Sequence, residues 1–291
     1  MDGEIAFIGF GEAGQAFAGA RRAARARAYD IKTAAAATCE AKRADYARAG
    51  VDGHDTPAAA LAGAAIVLSV VTADQALPAA RLYAGLLAPG ASWFDLNSVA
   101  PGTKRDAAVA IEAAGGRYVD VAVMAPVHPL GLAVPLLVSG PHAEDGAAAL
   151  TAIGFSNVRV VAGGIGAASA IKMIRSVMVK GLEALTTEWI LAAEAAGVRD
   201  EAVAALNASW PGTDWAAKAD YNLDRMMVHG RRRAEEMYEA AATLKGLGIS
   251  PMMTEAVVNW QQAIGDLGID PPAGLTAKLA AIGRFMKDEA A

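Results

Sequence analysis

Cysteine is almost absent from this chain: Cys39 stands alone among 291 residues. One thiol excludes an internal disulfide and a thiolate metal cluster. Histidine is scarce as well. His54, His128, His142 and His229 show no metal-ligand spacing of the HExxH kind, so no metal site is expected. Long apolar runs are missing, although 54% of the residues are apolar. No run reaches the ~20 residues that a bilayer span needs. No basic segment with an apolar core and cleavage site precedes the first strand-like run. Neither a signal peptide nor a membrane is therefore expected, and the cytoplasm is the expected location. Positive charge is not in excess: 26 Lys and Arg face 31 Asp and Glu, a net charge of −5, which argues against nucleic acid as a partner.

The apolar residues that are present come in short blocks. IAFIGF (5–10), AIVLSVV (65–71), SWFDL (92–96), YVDVAVM (118–124), PLLVSG (135–140) and VRVVA (158–162) are predicted strands, with ARAYDI (26–31) a weaker one. Near-continuous apolar runs suit strands covered on both faces. Ala-rich helical stretches separate them, which predicts βαβ units and a mostly parallel sheet.

Beyond residue 163 the strand signals stop. Ile171, Ile174, Met178, Leu182, Leu185 and Trp189 recur at helical spacing, with no proline between Gly166 and Ala196. One helix of about 30 residues is predicted there, long by the usual standard. Further helices are predicted near 199–209, 214–247, 251–265 and 273–289. The expected fold is α/β: a Rossmann-type sheet domain over 1–163, then an all-α domain over 164–291 entered through the long helix.

Gly9-Phe10-Gly11-Glu12-Ala13-Gly14 reads GxGxxG. Alone this signal is weak, but here it follows a strand and opens a helical stretch. In that setting the first glycine allows the tight turn and the second lets backbone approach a pyrophosphate. The third lets helix pack on strand. Asp30 closes the second strand, 21 positions after Gly9, where a carboxylate bonds the ribose hydroxyls of NAD. NAD is the expected cofactor. Lys32, two residues on, offsets some of the repulsion toward a 2′-phosphate and keeps NADP possible. Val71 and Thr72, at the carboxyl end of the 65–71 strand, are assigned to the cofactor too. Arg21, Arg22, Arg25 and Arg27 read as the solvated end of the first helix, where cations suit the dipole.

Three segments in order now resemble the β-hydroxyacid dehydrogenase family, which includes 3-hydroxyisobutyrate, tartronate semialdehyde and phosphogluconate dehydrogenases. They are GFGEAG (9–14), DLNSVAP (95–101) and GGIGAASAIKMIRS (163–176). DLNSVAP is similar to the family's D-x-S-T-x-x-P loop. GGIGAASAIKMIRS resembles its G-x-x-G-x-x-x-x-x-K-x-x-x-N stretch. The resemblance makes Lys172 the acid/base that handles the alcohol proton while hydride moves to or from nicotinamide. A lysine in apolar surroundings has its charged form disfavoured, which suits that role. The plainer reading is a lysine that snorkels to the surface. By the same resemblance Asn97 and Ser98 meet the substrate. Arg175 and Ser176, one turn beyond Lys172, share its face.

Departures from the family pattern point to an unfamiliar substrate. Ser176 stands where the family leads one to expect asparagine. Asp120-Val121-Ala122-Val123-Met124-Ala125-Pro126 replaces D-x-P-V-S-G-G, so Met124 stands at a serine position and makes that wall more apolar. Val179 stands where phosphogluconate dehydrogenases carry a glutamate, which argues against oxidative decarboxylation. In VHGRRRAEEM (228–237), His229 and Arg233 share a helix face. They read either as a solvated basic face beside Glu235 and Glu236 or as part of an anion pocket. Trp189, Trp210, Trp215 and Trp260 fill the helical domain or serve dimerisation, and the resemblance implies a homodimer or higher oligomer. The expected activity is hydride transfer on a hydroxy acid or a related alcohol or carbonyl. An imine reductase and a non-catalytic dinucleotide sensor are the other readings, and Lys172 argues against the first of these two.

Overall fold

The computed structural model describes residues 5–19 and 26–288, with side chains to residue 284. Arg21, Arg22 and Arg25 lie outside the described residues. The chain divides into two compact units, Met1–Met173 and Ile174–Ala291.

The first unit is built on a sheet. Its strands are β1 (Ile5–Ile8), β2 (Ala26–Tyr29), β3 (Asp52–Gly53), β4 (Ile66–Ser69), β5 (Ser92–Asp95), β6 (Arg117–Val123), β7 (Leu136–Ser139) and β8 (Val158–Val160). They lie in the order β3-β2-β1-β4-β5-β6-β7-β8. All neighbouring pairs are parallel except β6 and β7. The order runs outward in both directions from β1 and β4, the arrangement that places ligands at the carboxyl ends of the central strands.

Helices cover both faces, which is why the strands read as continuous apolar runs. Ile5, Phe7, Leu68, Phe94, Val119 and Val121 face Phe17 of α1 (Glu12–Gly19) and Leu150 of α6 (Ala143–Ala152). The alternate residues Ala6, Ile8, Val67, Trp93 and Tyr118 pack on the other face. There they meet Leu61 of α3 (Pro57–Leu61), Ala80 of α4 (Ala73–Tyr83) and Ile111 of α5 (Pro101–Ala113). The two-residue strand β3 had no sequence signal. It pairs with β2, and a Cβ on its Gly53 would fall 2.0 Å from the Tyr46 ring of α2 (Cys39–Arg48), so the packing there needs glycine. Arg27 is a residue of β2, not of a helix end, and its guanidinium donates to the Ala62 carbonyl.

The long helix is α7 (Ala167–Ala195), and it runs from the first unit into the second. The second unit continues with α8 (Arg199–Ser209), α9 (Trp215–Gly246), α10 (Met252–Asp266) and α11 (Leu275–Asp288). Asp214 caps α9 by accepting from the Ala217 amide at 3.0 Å. Ile190, Leu223, Met226, Ile264 and Ile282 form this unit's core. Trp189 stacks edge-on against Trp215 at 6.3 Å, while Trp210 is largely exposed.

Of the six apolar residues that predict α7, only Trp189 packs on the core; the other five are not its buried side. Ile171, Ile174, Met178, Leu182 and Leu185 are exposed, Met178 by 64%. The buried side instead carries Ser176, Lys180, Glu183, Thr186 and Thr187 beside Ala184 and Ile190. Helical spacing shows which residues share a face, not which face the fold covers. No described helix is long and apolar enough to cross a membrane.

Candidate active site

The glycines of the first turn occupy three different environments. Gly9 has φ +86°, and a Cβ there would lie 2.6 Å from the Val70 carbonyl oxygen and 2.9 Å from Val71. This position therefore requires glycine. A Cβ on Gly14 would lie 3.0 Å from the Gly9 carbonyl oxygen, so helix and turn touch backbone to backbone. A Cβ on Gly11 would meet nothing within 4 Å, and Gly11 and Glu12 are exposed. An open backbone at the start of a helix is what a pyrophosphate needs. Ala13 is half-buried against the sheet core. Phe10 contributes backbone only, since its ring is fully buried against Tyr46 at 4.9 Å.

Asp30 braces this turn. Its Oδ2 accepts from the Phe10 amide at 2.7 Å and its Oδ1 from the Lys32 amide at 2.9 Å. The Lys32 side chain is exposed. Lys42 completes the brace, donating to the Phe10 carbonyl at 2.7 Å and to Asp45 at 2.8 Å. The sequence reading missed Lys42, and nothing in its spacing would have found it. Burial pushes the Tyr46 phenol upward, with the Asp30 charge adding to the effect. Thr72 stands at the N-cap of α4, directly after Val71.

At the carboxyl ends of β5 and β6 the structure gathers another group of side chains. Lys172 Nζ donates to Ser98 Oγ. Asn97 is turned inward: its amide donates to Asp95 Oδ1 at 2.7 Å and to Ser69 Oγ at 3.0 Å. Both amide hydrogens are thereby used, and its Oδ1 has no partner. Met124 packs by Ala122, Leu137, Val161 and Ala168, a wholly apolar wall.

Beneath these residues lies a buried ionic network that the sequence reading missed. Lys104 is fully buried and donates to Asp95 Oδ1 at 2.9 Å, with Asp120 Oδ1 at 3.5 Å. Asp120 Oδ2 accepts from the amides of Gly166 at 3.0 Å and Ser169 at 3.3 Å, and Asp120 Oδ1 from Ser169 Oγ at 2.6 Å. Ser139 Oγ accepts from the Ala168 amide at 3.0 Å and donates to Asp120 at 2.9 Å. The signal was available. Lys104 shares a helix face with Ala107, Ala108 and Ile111, an amine on an apolar face just as at Lys172.

Tyr118 donates to Asp95 Oδ2 at 2.7 Å. Burial, and then the Asp95 charge, push its phenol well above the usual tyrosine range. The native state therefore keeps this proton while the unfolded chain loses it, so stability falls as pH rises past the ordinary tyrosine value of about 10. Tyr118→Phe is expected to cost about 2 kcal/mol at pH 7, by removing a hydrogen bond to a charged acceptor. The gap to wild type should then narrow above pH ~10. Melting curves from pH 7 to 11 check this, and a constant gap contradicts it.

The remaining candidates lie in the helical unit. Arg175 is exposed, and Ser176 is buried with its Oγ accepting from Lys180 at 3.4 Å. Lys180 pairs with Glu236 at 2.5 Å; burial lowers its pKa, opposed by the Glu236 charge. Arg233 is buried and paired with Glu183, which also accepts from Gln261 at 3.0 Å. Glu236 pairs with Arg232 of the same helix as well as with Lys180. His229 is half-buried. Among the described residues no group of three His, Cys, Asp or Glu is placed to hold a metal ion.

A glycine turn with this division of roles, on a parallel sheet ordered in this way, defines a dinucleotide-binding Rossmann domain. The family described as the NAD binding domain of 6-phosphogluconate dehydrogenase matches residues 4–129. A domain of unknown function (DUF1932) matches 193–264. A conserved hypothetical protein from Sinorhizobium meliloti 1021 is 40% identical, with 98% of this chain and 97% of that one covered and a TM-score of 0.76. The conserved protein MTH1747, of unknown function and described as structurally similar to 3-hydroxyacid dehydrogenases, is 30% identical. There 93% of this chain and 100% of that one are covered, with a TM-score of 0.69. The chain belongs to the NAD(P)-binding superfamily of 6-phosphogluconate and 3-hydroxyacid dehydrogenase-like proteins. Mycobacterium tuberculosis 3-hydroxyisobutyrate dehydrogenase shares the fold at 17% identity and a TM-score of 0.73, covering 98% of this chain and 99% of that one.

Proposed function

We propose that the protein is an NAD(P)-dependent oxidoreductase acting on a hydroxy acid or a related alcohol or carbonyl, with Lys172 as acid/base. The contact of Lys172 Nζ with Ser98 Oγ at the carboxyl ends of the strands carries this reading. Gly9, Gly11 and Gly14, with the backbone of Phe10, Glu12 and Ala13, would hold the pyrophosphate. Asp30 would meet the ribose, with Val71 and Thr72 alongside. The nicotinamide would supply or accept the hydride.

The chain's own residues handle the proton. In the reducing direction Lys172 gives a proton to the substrate oxygen as charge develops there, and in the oxidising direction it takes one. Ser98 accepts one of the ammonium hydrogens and so fixes the direction of the amine. Asn97 holds the loop and offers only an acceptor. Met124 sets an apolar wall that favours a less polar substrate than a serine would. Arg175 and Ser176, next along α7, are assigned to the substrate's anionic or polar end.

Asp30 favours NAD over NADP, because a carboxylate at the ribose repels a 2′-phosphate. A screen of hydroxy acids and their oxo partners with both cofactors tests the function, and binding of neither cofactor overturns it. In the same assays Asp30→Ala should weaken NAD binding at least about tenfold, as loss of a charge-assisted hydrogen bond implies. Undiminished NAD affinity would remove the ribose assignment.

A homodimer is part of this reading. The exposed stripe of α7 is symmetric about Met178, with Ile174 and Leu182 at equal spacing on either side and Ile171 and Leu185 beyond them. Two copies of the helix set antiparallel would put Met178 against its counterpart and Ile174 against Leu182, an isologous two-fold contact. Met178→Asp is expected to reduce the mass seen by light scattering from twice 29.7 kDa to 29.7 kDa. A dimer that survives this change is held by another face.

A further inference from the structure

We propose that Lys104 is a positioning residue: its buried ammonium ties Asp95 to Asp120, and through them the Ser98 loop to the first turn of the helix carrying Lys172. Asp95 and Asp120 are paired across β5 and β6. Both are fully buried, so without a cation between them two like charges would face each other in a low-dielectric interior. Lys104 supplies that cation. It also donates to the Asp95 carbonyl at 2.5 Å, holding the backbone where β5 ends.

The two carboxylates have different duties. Asp95 Oδ1 accepts from the Asn97 amide nitrogen at 3.0 Å as well as from its side chain, which shapes the loop that ends in Ser98. Asp120 accepts the Gly166 and Ser169 amides, donors that an α-helix leaves unpaired at its start. Ser169 lies one turn before Lys172, so this cap sets where Lys172 begins. One ammonium thus joins the supports of both members of the Lys172–Ser98 pair. A lysine on the outer side of α5 would give the same helix without this link.

Amide hydrogen exchange on the full chain tests the link. Lys104→Met should speed exchange about tenfold or more in residues 96–100 and 164–170, as local opening becomes easier, while β1 stays protected. Its stability deficit should also grow with pH. The variant leaves two buried, facing carboxylates with no cation between them, so it loses more stability where both are charged than in acid. Asp120→Asn, which keeps the shape and removes one of the two facing charges, should speed exchange in 164–170 alone. Unchanged exchange in both segments of Lys104→Met, or a pH-independent deficit, overturns the proposal. So does an Asp120→Asn variant in which the two segments respond together. If Lys104→Met fails to fold, the Asp120→Asn pattern decides. The inference rests on the acid/base reading of Lys172, but its readouts do not. Lys172→Ala removes neither Lys104 nor its two carboxylates and is expected to keep slow exchange in 164–170, so a failure of that reading appears only in turnover.

Discussion

Lys172→Ala is expected to lower turnover by about 10²–10⁴-fold while leaving cofactor affinity within about twofold, the range general acid–base catalysis supplies. The amine bonds Ser98, whereas the dinucleotide turn is braced by Asp30 and Lys42, so the brace stays in place when the amine is lost. An effect confined to KM would mean that Lys172 only binds substrate. Turnover within about threefold of wild type would end the acid/base assignment and favour a binding protein without catalysis. Ser98→Ala is the companion change. It removes the acceptor but keeps the amine, so its loss should be smaller than that of Lys172→Ala.

The largest expected effect on stability lies in the helical unit. Gly230 of α9 and Gly265 of α10 meet where the two helices cross. A Cβ on Gly230 would stand 2.3 Å from the Gln261 carbonyl oxygen, and one on Gly265 would stand 2.5 Å from the Arg231 nitrogen. Each clash is with backbone, so no rotamer relieves it. Gly230→Val should destabilise the unit by about 3 kcal/mol or more, the upper range of overpacking. Gly283 of α11 is the control, because a Cβ there meets nothing within 4 Å. Gly283→Ala should gain about 0.5–1 kcal/mol from helix propensity alone. Melting temperatures of the two variants should move in opposite directions. If Gly230→Val melts with wild type, the close crossing is wrong.

The outline of the fold was legible because its signals are local. Apolar blocks bounded by Gly and Pro located every strand but β3, and Trp210-Pro211-Gly212, Gly248 and Pro271-Pro272 marked where the later helices end or begin. The glycine turn was legible for the same reason, since its three backbone demands fall within six consecutive residues. Lys104, Asp95 and Asp120 were not legible as a unit. They come from three different elements, and only the pairing of β5 with β6 brings them together. The inner face of α7 was hidden for a related reason. Its buried side is polar because Glu183 meets Arg233 and Lys180 meets Glu236, partners about 50 residues away that no periodicity reports.

The Asp120 cap also limits the chemistry open to the long helix. A helix start carries about half a positive charge and ordinarily attracts anions. Here a buried carboxylate and the Ser139 hydroxyl already occupy the first-turn amides of α7. The field of 29 aligned peptide dipoles is spent inside the protein. On the proposed reading of Lys172, an acidic substrate therefore gains little from the helix itself. Its charge has to be met by side-chain cations, so selectivity for acids over neutral alcohols can be altered by single substitutions without disturbing the backbone.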